Sequence, residues 1–180
     1  MRKIVIASDS YKGCLSSSEV ACAMSKGIAE VYPDCQIVKL AVADGGEGTV
    51  EALVDTLGGH MEWAEVSDPL GRPVKAAYGV AGDLAIIESA AACGLTLLKR
   101  EERDPLLAST KGLGELILAA IGKGCRRFLI GLGGSATNDG GMGMISAEGF
   151  LEKARGLEFT VACDVDTPYI GENGASRVFG

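Results

Sequence analysis

The sequence predicts an α/β fold in which helices flank a mostly parallel sheet. Short runs rich in Ile and Val alternate with segments whose apolar residues recur at helical spacing, and this alternation is typical of βαβ units. In addition, the polar clusters of the chain directly follow the predicted strands. In parallel α/β folds this is the edge of the sheet at which ligands bind.

The N-terminal part predicts two strand–helix units. Residues 3–7 and 36–40 are rich in Ile and Val and are expected to form buried strands. Helices are expected over 16–31, which begins with capping residues, and over 49–57. Together with two glycine-rich loops, these elements make up a predicted N-terminal segment that covers residues 1–66.

The remaining residues, 67–180, form the second predicted segment, although the boundary between the two segments is left open. Residues 61–66 and 74–80 alternate polar and apolar side chains around a Pro- and Gly-containing turn, which indicates an antiparallel pair. Later in the chain, a helix is expected over 110–121. Further strands are expected over 84–89, 127–131 and 160–164.

Composition excludes several classes of function. The net charge of −7 and the low isoelectric point argue against a nucleic-acid partner. The sequence has no apolar run long enough to span a bilayer and no signal-peptide pattern at its start, so we expect a cytoplasmic protein without a membrane partner. Its six cysteines are too dispersed for a zinc site and are expected to be small, buried or half-buried thiols.

The most informative stretch is the glycine-rich loop at 131–141, which lies between a predicted strand and a helix start. It contains five glycines together with Ser135, Thr137, Asn138 and Asp139. Glycines let backbone N–H groups approach a ligand closely, which favours a phosphate-binding loop. One alternative is a tight turn whose helix is capped by Asn138 or Asp139. Another is a dinucleotide-binding loop, because the glycine spacing fits that looser fingerprint.

Charged residues in the other loops supply the remaining requirements of phosphoryl transfer. Asp44 and Glu47 form a second acidic cluster after a strand, and Lys12 is a suitable cation for a transferring phosphate. Simpler explanations exist for these residues and for Arg72. Asp44 would cap a helix or a turn, Lys12 would be a solvated side chain, and Arg72 would lie at the tip of a hairpin. Glu88 ends an apolar strand, where a lone carboxylate is costly to bury.

Several motifs occur in one order along nearly the whole chain: ASDSYKG at 7–13, ADGGEGT at 43–49, DPLGRPV at 68–74, IESA at 87–90, STKGLGEL at 109–116, the 131–141 loop, ACDV at 162–165 and GENGA at 171–175. On these motifs the sequence resembles the bacterial-type (type I) glycerate kinases. The resemblance implies a two-domain α/β arrangement with the site between the domains. It also implies phosphorylation of D-glycerate by ATP with Mg²⁺, giving 2-phosphoglycerate in preference to 3-phosphoglycerate.

For this reaction we hypothesise roles for individual residues. Lys12 and Arg72 would hold the glycerate carboxylate, with Ser10 and Glu47 beside the substrate. Asp44 or Asp139 would accept the hydroxyl proton, and Asp139 and Asp164 would hold Mg²⁺. The donors along the phosphate path would be Gly133, Gly134, Ser135, Thr137 and Asn138.

The family is considerably longer than this chain. Only a short bridge joins residues 150 and 157, where the family has a longer segment, so the second segment is expected to be incomplete. Two alternatives to a kinase therefore stay open: a fragment that binds a sugar acid without catalysis, and a dinucleotide-dependent oxidoreductase. A homodimer is the oligomer that the sequence leaves open.

Overall fold

The computed structural model describes residues 3–8, 11, 14–41, 48–163 and 165–178. Its N-terminal part is a two-stranded parallel sheet of β1 (Lys3–Ser8) and β2 (Gln36–Ala41), connected by helix α1 (Ser17–Val31). Ser16 and Glu19 form a reciprocal capping box at the start of α1. Helix α2 (Thr49–Leu57) follows and ends at Gly58, whose φ of 65° gives the left-handed cap that glycine favours.

The second sheet has five strands in the order β3-β4-β5-β6-β7. The first two pairings are antiparallel, whereas β5–β6 and β6–β7 are parallel. The strands are β3 (His60–Ser67), β4 (Pro73–Ala81), β5 (Leu84–Glu88), β6 (Arg127–Gly131) and β7 (Glu158–Ala162).

The remaining helices are short, except for α4. They are α3 (Ala90–Cys93), α4 (Lys111–Gly122), α5 (Met142–Ser146), α6 (Phe150–Lys153) and α7 (Ala175–Val178), and single 3₁₀ turns lie at Leu95–Leu97 and Arg100–Glu102. Within the described ranges, none of the helices has the length and apolar character needed to cross a membrane.

Successive side chains of the central strands pack on opposite faces of the five-stranded sheet. On one face, Val50 and Val54 of α2 contact Ile86 of β5. On the other, Leu116 of α4 belongs to a larger core that includes Phe128 of β6. The sheet is therefore covered by helices on both sides, as the apolar runs of its central strands require.

These elements confirm the predicted α/β class. The strand expected over 160–164 lies two residues earlier, and the small-residue run after β5 forms α3. The predicted segment boundary at 66/67 falls inside β3, and the division into two domains stays a prediction.

The expectation for the cysteines holds for three of the six. Cys93 and Cys125 are buried and Cys35 is half-buried, but Cys14, Cys22 and Cys163 are exposed. Helix α1 covers a sheet of only two strands, which leaves most of its surface, including Cys22, in solvent.

Candidate functional site

The candidate site lies where the carboxyl ends of three neighbouring strands meet. Glu88 at the end of β5 is in register with Gly131 at the end of β6, which in turn is in register with Ala162 of β7. The glycine-rich loop 131–141 starts from the central one of these strands. The topology therefore places this loop at the edge where parallel α/β sheets bind ligands.

The first half of the loop pairs with the chain that follows α3. Leu95 N donates to the Gly134 carbonyl at 2.9 Å, and Ala136 N donates to the Cys93 carbonyl at 2.8 Å. Within the loop, the hydroxyls of Ser135 and Thr137 lie 2.8 Å apart and share a hydrogen bond. These contacts fix the backbone of the loop against the sheet.

Three consecutive N–H groups of this half, those of Gly133, Gly134 and Ser135, have no hydrogen-bond acceptor among the described residues. Gly134 has a φ of 74°, a conformation that glycine adopts without strain. Successive N–H groups in such a turn can surround an anion. This is the part of the loop that is chemically suited to phosphate oxygens.

Asp139, in the second half, is held by donors on both of its oxygens. It accepts from Thr110 N at 2.8 Å and from the Thr110 hydroxyl at 2.9 Å. It also accepts from Gly141 N and Gly143 N, each at 3.0 Å. Four donors correspond to the four lone-pair positions of a carboxylate, so the acceptor capacity of Asp139 is filled.

These hydrogen bonds affect the ionisation of Asp139 and the start of helix α5. Partial burial opposes ionisation, but the hydrogen bonds from Thr110, Gly143 and Gly141 outweigh it and hold the pKa of Asp139 below its ordinary value. The carboxylate accepts from Gly143 N in the first turn of α5 and from Gly141, the N-cap residue of that helix. The N–H groups suited to an anion lie earlier in the loop, at Gly133–Ser135.

Arg72 lies in the turn between β3 and β4 and is paired with two carboxylates. Its Nε donates to Asp68 at 2.6 Å, and its Nη1 donates to Glu102 at 2.8 Å. Asp68 is 5% exposed and also accepts from Leu70 N and Arg72 N. Burial opposes ionisation here too, but the hydrogen bonds from Arg72 and Leu70 prevail and lower the pKa of Asp68. The guanidinium is therefore held in one orientation.

The turn that carries Arg72 adjoins the glycine-rich loop through the start of α4. Ser109 N donates to the carbonyl of Pro69 in the turn at 2.9 Å, and the next residue, Thr110, binds Asp139. Glu115 of α4 accepts from Ser67 N and from the Ser67 hydroxyl at the end of β3. The start of α4 thus connects the turn that carries Arg72 to the glycine-rich loop.

The C-terminal residues close the loop from another side. The Tyr169 hydroxyl donates to the Asn138 carbonyl at 2.7 Å, and the Ser176 hydroxyl donates to Asn138 Oδ1 at 3.0 Å. Asn138 therefore connects the loop to the segment that contains α7.

The other predicted site residues fall outside the part of the chain that the structure describes; they are Ser10, Lys12, Asp44, Glu47 and Asp164. Among the described residues, no three His, Cys, Asp or Glu side chains are grouped so as to hold a metal. The roles given to Asp139 and Asp164 as Mg²⁺ ligands stay predictions.

Sequence reasoning missed Thr110, whose hydroxyl donates to Asp139 and accepts from Met144 N at 2.9 Å. A threonine directly before an apolar helical pattern is a capping signal. That signal identifies a helix start, but the contact with a loop 29 residues later cannot be read from it. No sequence pattern indicates that Glu102 is the second partner of Arg72.

Fold and site define an α/β protein whose glycine-rich loop lies at the carboxyl ends of its parallel strands. A family model described as the glycerate kinase family matches residues 4–155. The chain is 48% identical over 208 aligned positions to "Glycerate 2-kinase" of Escherichia coli K12 and 44% identical to "Glycerate kinase" of Bacillus subtilis 168. This chain belongs to the glycerate kinase family.

A solved structure gives the same result for the fold. The crystal structure of a protein titled putative glycerate kinase 2, from Salmonella typhimurium LT2, matches with a TM-score of 0.87 and 44% identity over 99% of this chain. The chain spans about half the length of the relatives it matches: 55% of the Escherichia coli protein, 54% of the Bacillus subtilis protein and 57% of the Salmonella chain.

Proposed function

We propose that this chain forms part of the site at which a glycerate kinase transfers the terminal phosphate of ATP to D-glycerate, with 2-phosphoglycerate as the product. Family membership supports the reaction class, and the name of the Escherichia coli relative supports the 2-position. The observation that carries the proposal is the run of N–H donors at Gly133, Gly134 and Ser135, at the carboxyl edge of β6.

These donors suit a reaction that depends on positioning and charge compensation more than on covalent chemistry. Backbone N–H groups are fixed in direction, so they need no reorganisation when charge develops on the phosphate oxygens. The neighbouring hydroxyls of Ser135 and Thr137 share one hydrogen bond, and the Ser135 hydroxyl also lies 3.9 Å from Cys93 Sγ. Thr137 and Asn138 would complete the phosphate path.

For the glycerate carboxylate, we place Arg72 with Lys12. A guanidinium has five N–H donors, and Asp68 and Glu102 engage three of those of Arg72. One N–H each of Nη1 and Nη2 remains, on opposite edges of the guanidinium, so a substrate carboxylate would take one of them, in an orientation that the two acidic partners already fix. Ser10 and Glu47 would contact the substrate from the N-terminal loops.

The acceptor of the hydroxyl proton is better assigned to Asp44 than to Asp139. The four donors on Asp139 fill its acceptor positions, and its lowered pKa makes it a weaker base. Asp139 then acts by holding the loop. Mg²⁺ would neutralise the transferring phosphate, and oxygen ligands are the right type for it. Asp164 is the better candidate ligand of the two aspartates, because the four donors leave Asp139 no free acceptor position.

The decisive test is to incubate the purified 180-residue chain with D-glycerate, ATP and Mg²⁺ and to measure ADP release against a control without glycerate. Glycerate-dependent ADP is the expected result, and the position of the new phosphate is read by ³¹P NMR. Glycerate binding without ADP would instead favour the non-catalytic alternative. Binding of NAD(P) without ATP dependence would favour the oxidoreductase.

Arg72→Lys is expected to lower kcat/KM by about 10- to 100-fold, mainly through KM, because lysine keeps the charge but cannot bind Asp68, Glu102 and the substrate in the fixed geometry of a guanidinium. Steady-state kinetics at varied glycerate concentration measures this. The matched control is Arg127→Lys, since Arg127 forms a comparable but exposed pair with Asp83 and is expected to leave kcat/KM unchanged. An Arg72→Lys enzyme with unaltered KM would exclude Arg72 from the carboxylate site.

A further inference from the structure

Glu88 is a half-buried carboxylate that the proposed reaction does not yet use. It ends β5, and its Oε1 accepts from Val50 N in the first turn of α2 at 3.0 Å. A side chain of the five-stranded sheet therefore caps the helix that follows the two-stranded sheet.

Helix α2 needs this acceptor because its own sequence supplies none. The N-cap residue is Gly48, with a φ of 91° and no side chain to accept a hydrogen bond. Thr49 and Val50 are 5% and 3% exposed, so water has little access to their N–H groups. Leaving a buried N–H donor unpaired is unfavourable, and Glu88 supplies the acceptor for Val50 N.

The ionised form of Glu88 is electrostatically unfavourable at this position. Burial is the main cause that raises the pKa of Glu88, and the charge of Glu51 raises it further, while the N–H groups of α2 lower it. An apolar residue at the end of β5 would avoid the penalty, but it would leave the start of α2 without an acceptor.

The backbone beside Glu88 is attached to the glycine-rich loop. Glu88 is in register with Gly131, and Ser89 N donates to the Gly131 carbonyl at 2.8 Å. The same two residues thus bind the start of α2 through a side chain and the start of the 131–141 loop through the main chain. Gly48 is also the residue that directly follows the acidic loop sequence at 43–47.

We propose that Glu88 is a positioning residue, which fixes the start of α2 relative to the N–H donors of Gly133–Ser135. This inference rests on the proposed function, because it assigns Glu88 the task of setting the distance between the first turn of α2 and the phosphate path. Glu88 itself contacts neither substrate nor nucleotide. A displacement of about 1 Å between such groups can cost on the order of 100-fold in rate.

The experiment has one structural and one kinetic measurement, on Glu88→Ala, Glu88→Gln and the matched control Glu65→Gln. Glu65 is an exposed strand glutamate on the same sheet. Amide hydrogen exchange without substrate is expected to be about tenfold or more faster at Val50 in Glu88→Ala, because a hydrogen bond to a charged acceptor is lost. Glu88→Gln, which keeps one oxygen acceptor, is expected to fall between Glu88→Ala and the wild type.

In the kinetic measurement, kcat of Glu88→Ala is expected to fall by about 10- to 100-fold with a smaller change in KM, and Glu88→Gln to restore part of the loss. Unchanged exchange at Val50 would overturn the inference. So would faster exchange with an unchanged kcat, because Glu88 would then be a structural cap only.

If Glu88→Ala does not fold, Glu88→Gln decides on the same criteria. Wild-type protein without glycerate-dependent ADP release would instead refute the proposed function, and exchange would then decide whether Glu88 fixes α2.

Discussion

Asp139→Asn is expected to lower the free energy of unfolding by about 2–4 kcal/mol. The asparagine keeps one acceptor oxygen but turns an NH₂ group toward donors such as Thr110 N and Gly143 N, which are then left unpaired. Both helices that begin at this carboxylate, α4 and α5, lose their link to the loop. Turnover is expected to fall as well. Denaturant unfolding monitored by circular dichroism measures the loss.

The control for this change is Asp83→Asn, which affects an exposed carboxylate paired with Arg127 and is expected to leave the free energy of unfolding nearly unchanged. The effect of Asp139 also depends on pH. Its folded pKa lies below the ordinary value, so its stabilisation is complete above about pH 4 and is lost as the pH falls through the folded pKa. Wild type and Asp139→Asn should therefore converge in stability in acid. A constant difference from pH 7 down to pH 2 would show that the charge of Asp139 is not the cause.

Gly143→Ala is expected to destabilise the protein by about 3 kcal/mol and to abolish glycerate-dependent activity. A Cβ at this position would overlap the Ser109 hydroxyl and would lie 2.7 Å from both Asp139 Oδ2 and Lys111 N. Neither the backbone nor a carboxylate fixed by four donors can move aside cheaply. Helix α5 would have to shift away from α4, and the hydrogen bond from Gly143 N to Asp139 would break. Thermal unfolding and the ADP assay measure the two effects.

Gly122→Ala is the matched control for that substitution. Gly122 lies at the end of α4, where an added Cβ meets nothing within 4 Å. We expect it to be neutral or to stabilise by up to about 1 kcal/mol, because alanine has the higher helix propensity. If Gly143→Ala behaved like Gly122→Ala, the close approach of α5 to α4 would not exist in solution.

The elements could be predicted from the sequence because each has a strong local signal. Residues 49–57 and 127–131 were predicted with the bounds that the structure gives to α2 and β6. The turn between β3 and β4 was recognisable from its Pro and Gly residues. The sequence places strand β7 two residues late, because apolar residues continue beyond its end at Cys163 and Val165. Helix α3 was missed because a four-residue run of small side chains has no periodicity.

The site could be predicted only in part. The glycine-rich loop and the positions of Arg72 and Asp139 were predicted, since their residue types indicate chemistry. Their partners were not, because Thr110 and Glu102 reach them across 29 and 30 residues of chain. Local sequence shows that Asp139 is a carboxylate after a strand; only the fold shows that its lone pairs are occupied. Because its lone pairs are occupied, Asp139 is better assigned as the residue that holds the loop than as the candidate base.

The arrangement of the five-stranded sheet has a consequence for how quickly its parts form. The β3–β4 hairpin pairs Ser67 with Pro73 across one short turn, whereas Leu84 of β5 must find Arg127 of β6. Hairpins close in about 1–10 μs, but distant parallel pairs first have to overcome the entropy of closing a long loop. We expect folding φ-values to be high in the hairpin and near zero at Asp139. During folding, the turn that carries Arg72 would then form before the N–H donors of Gly133–Ser135 reach their positions.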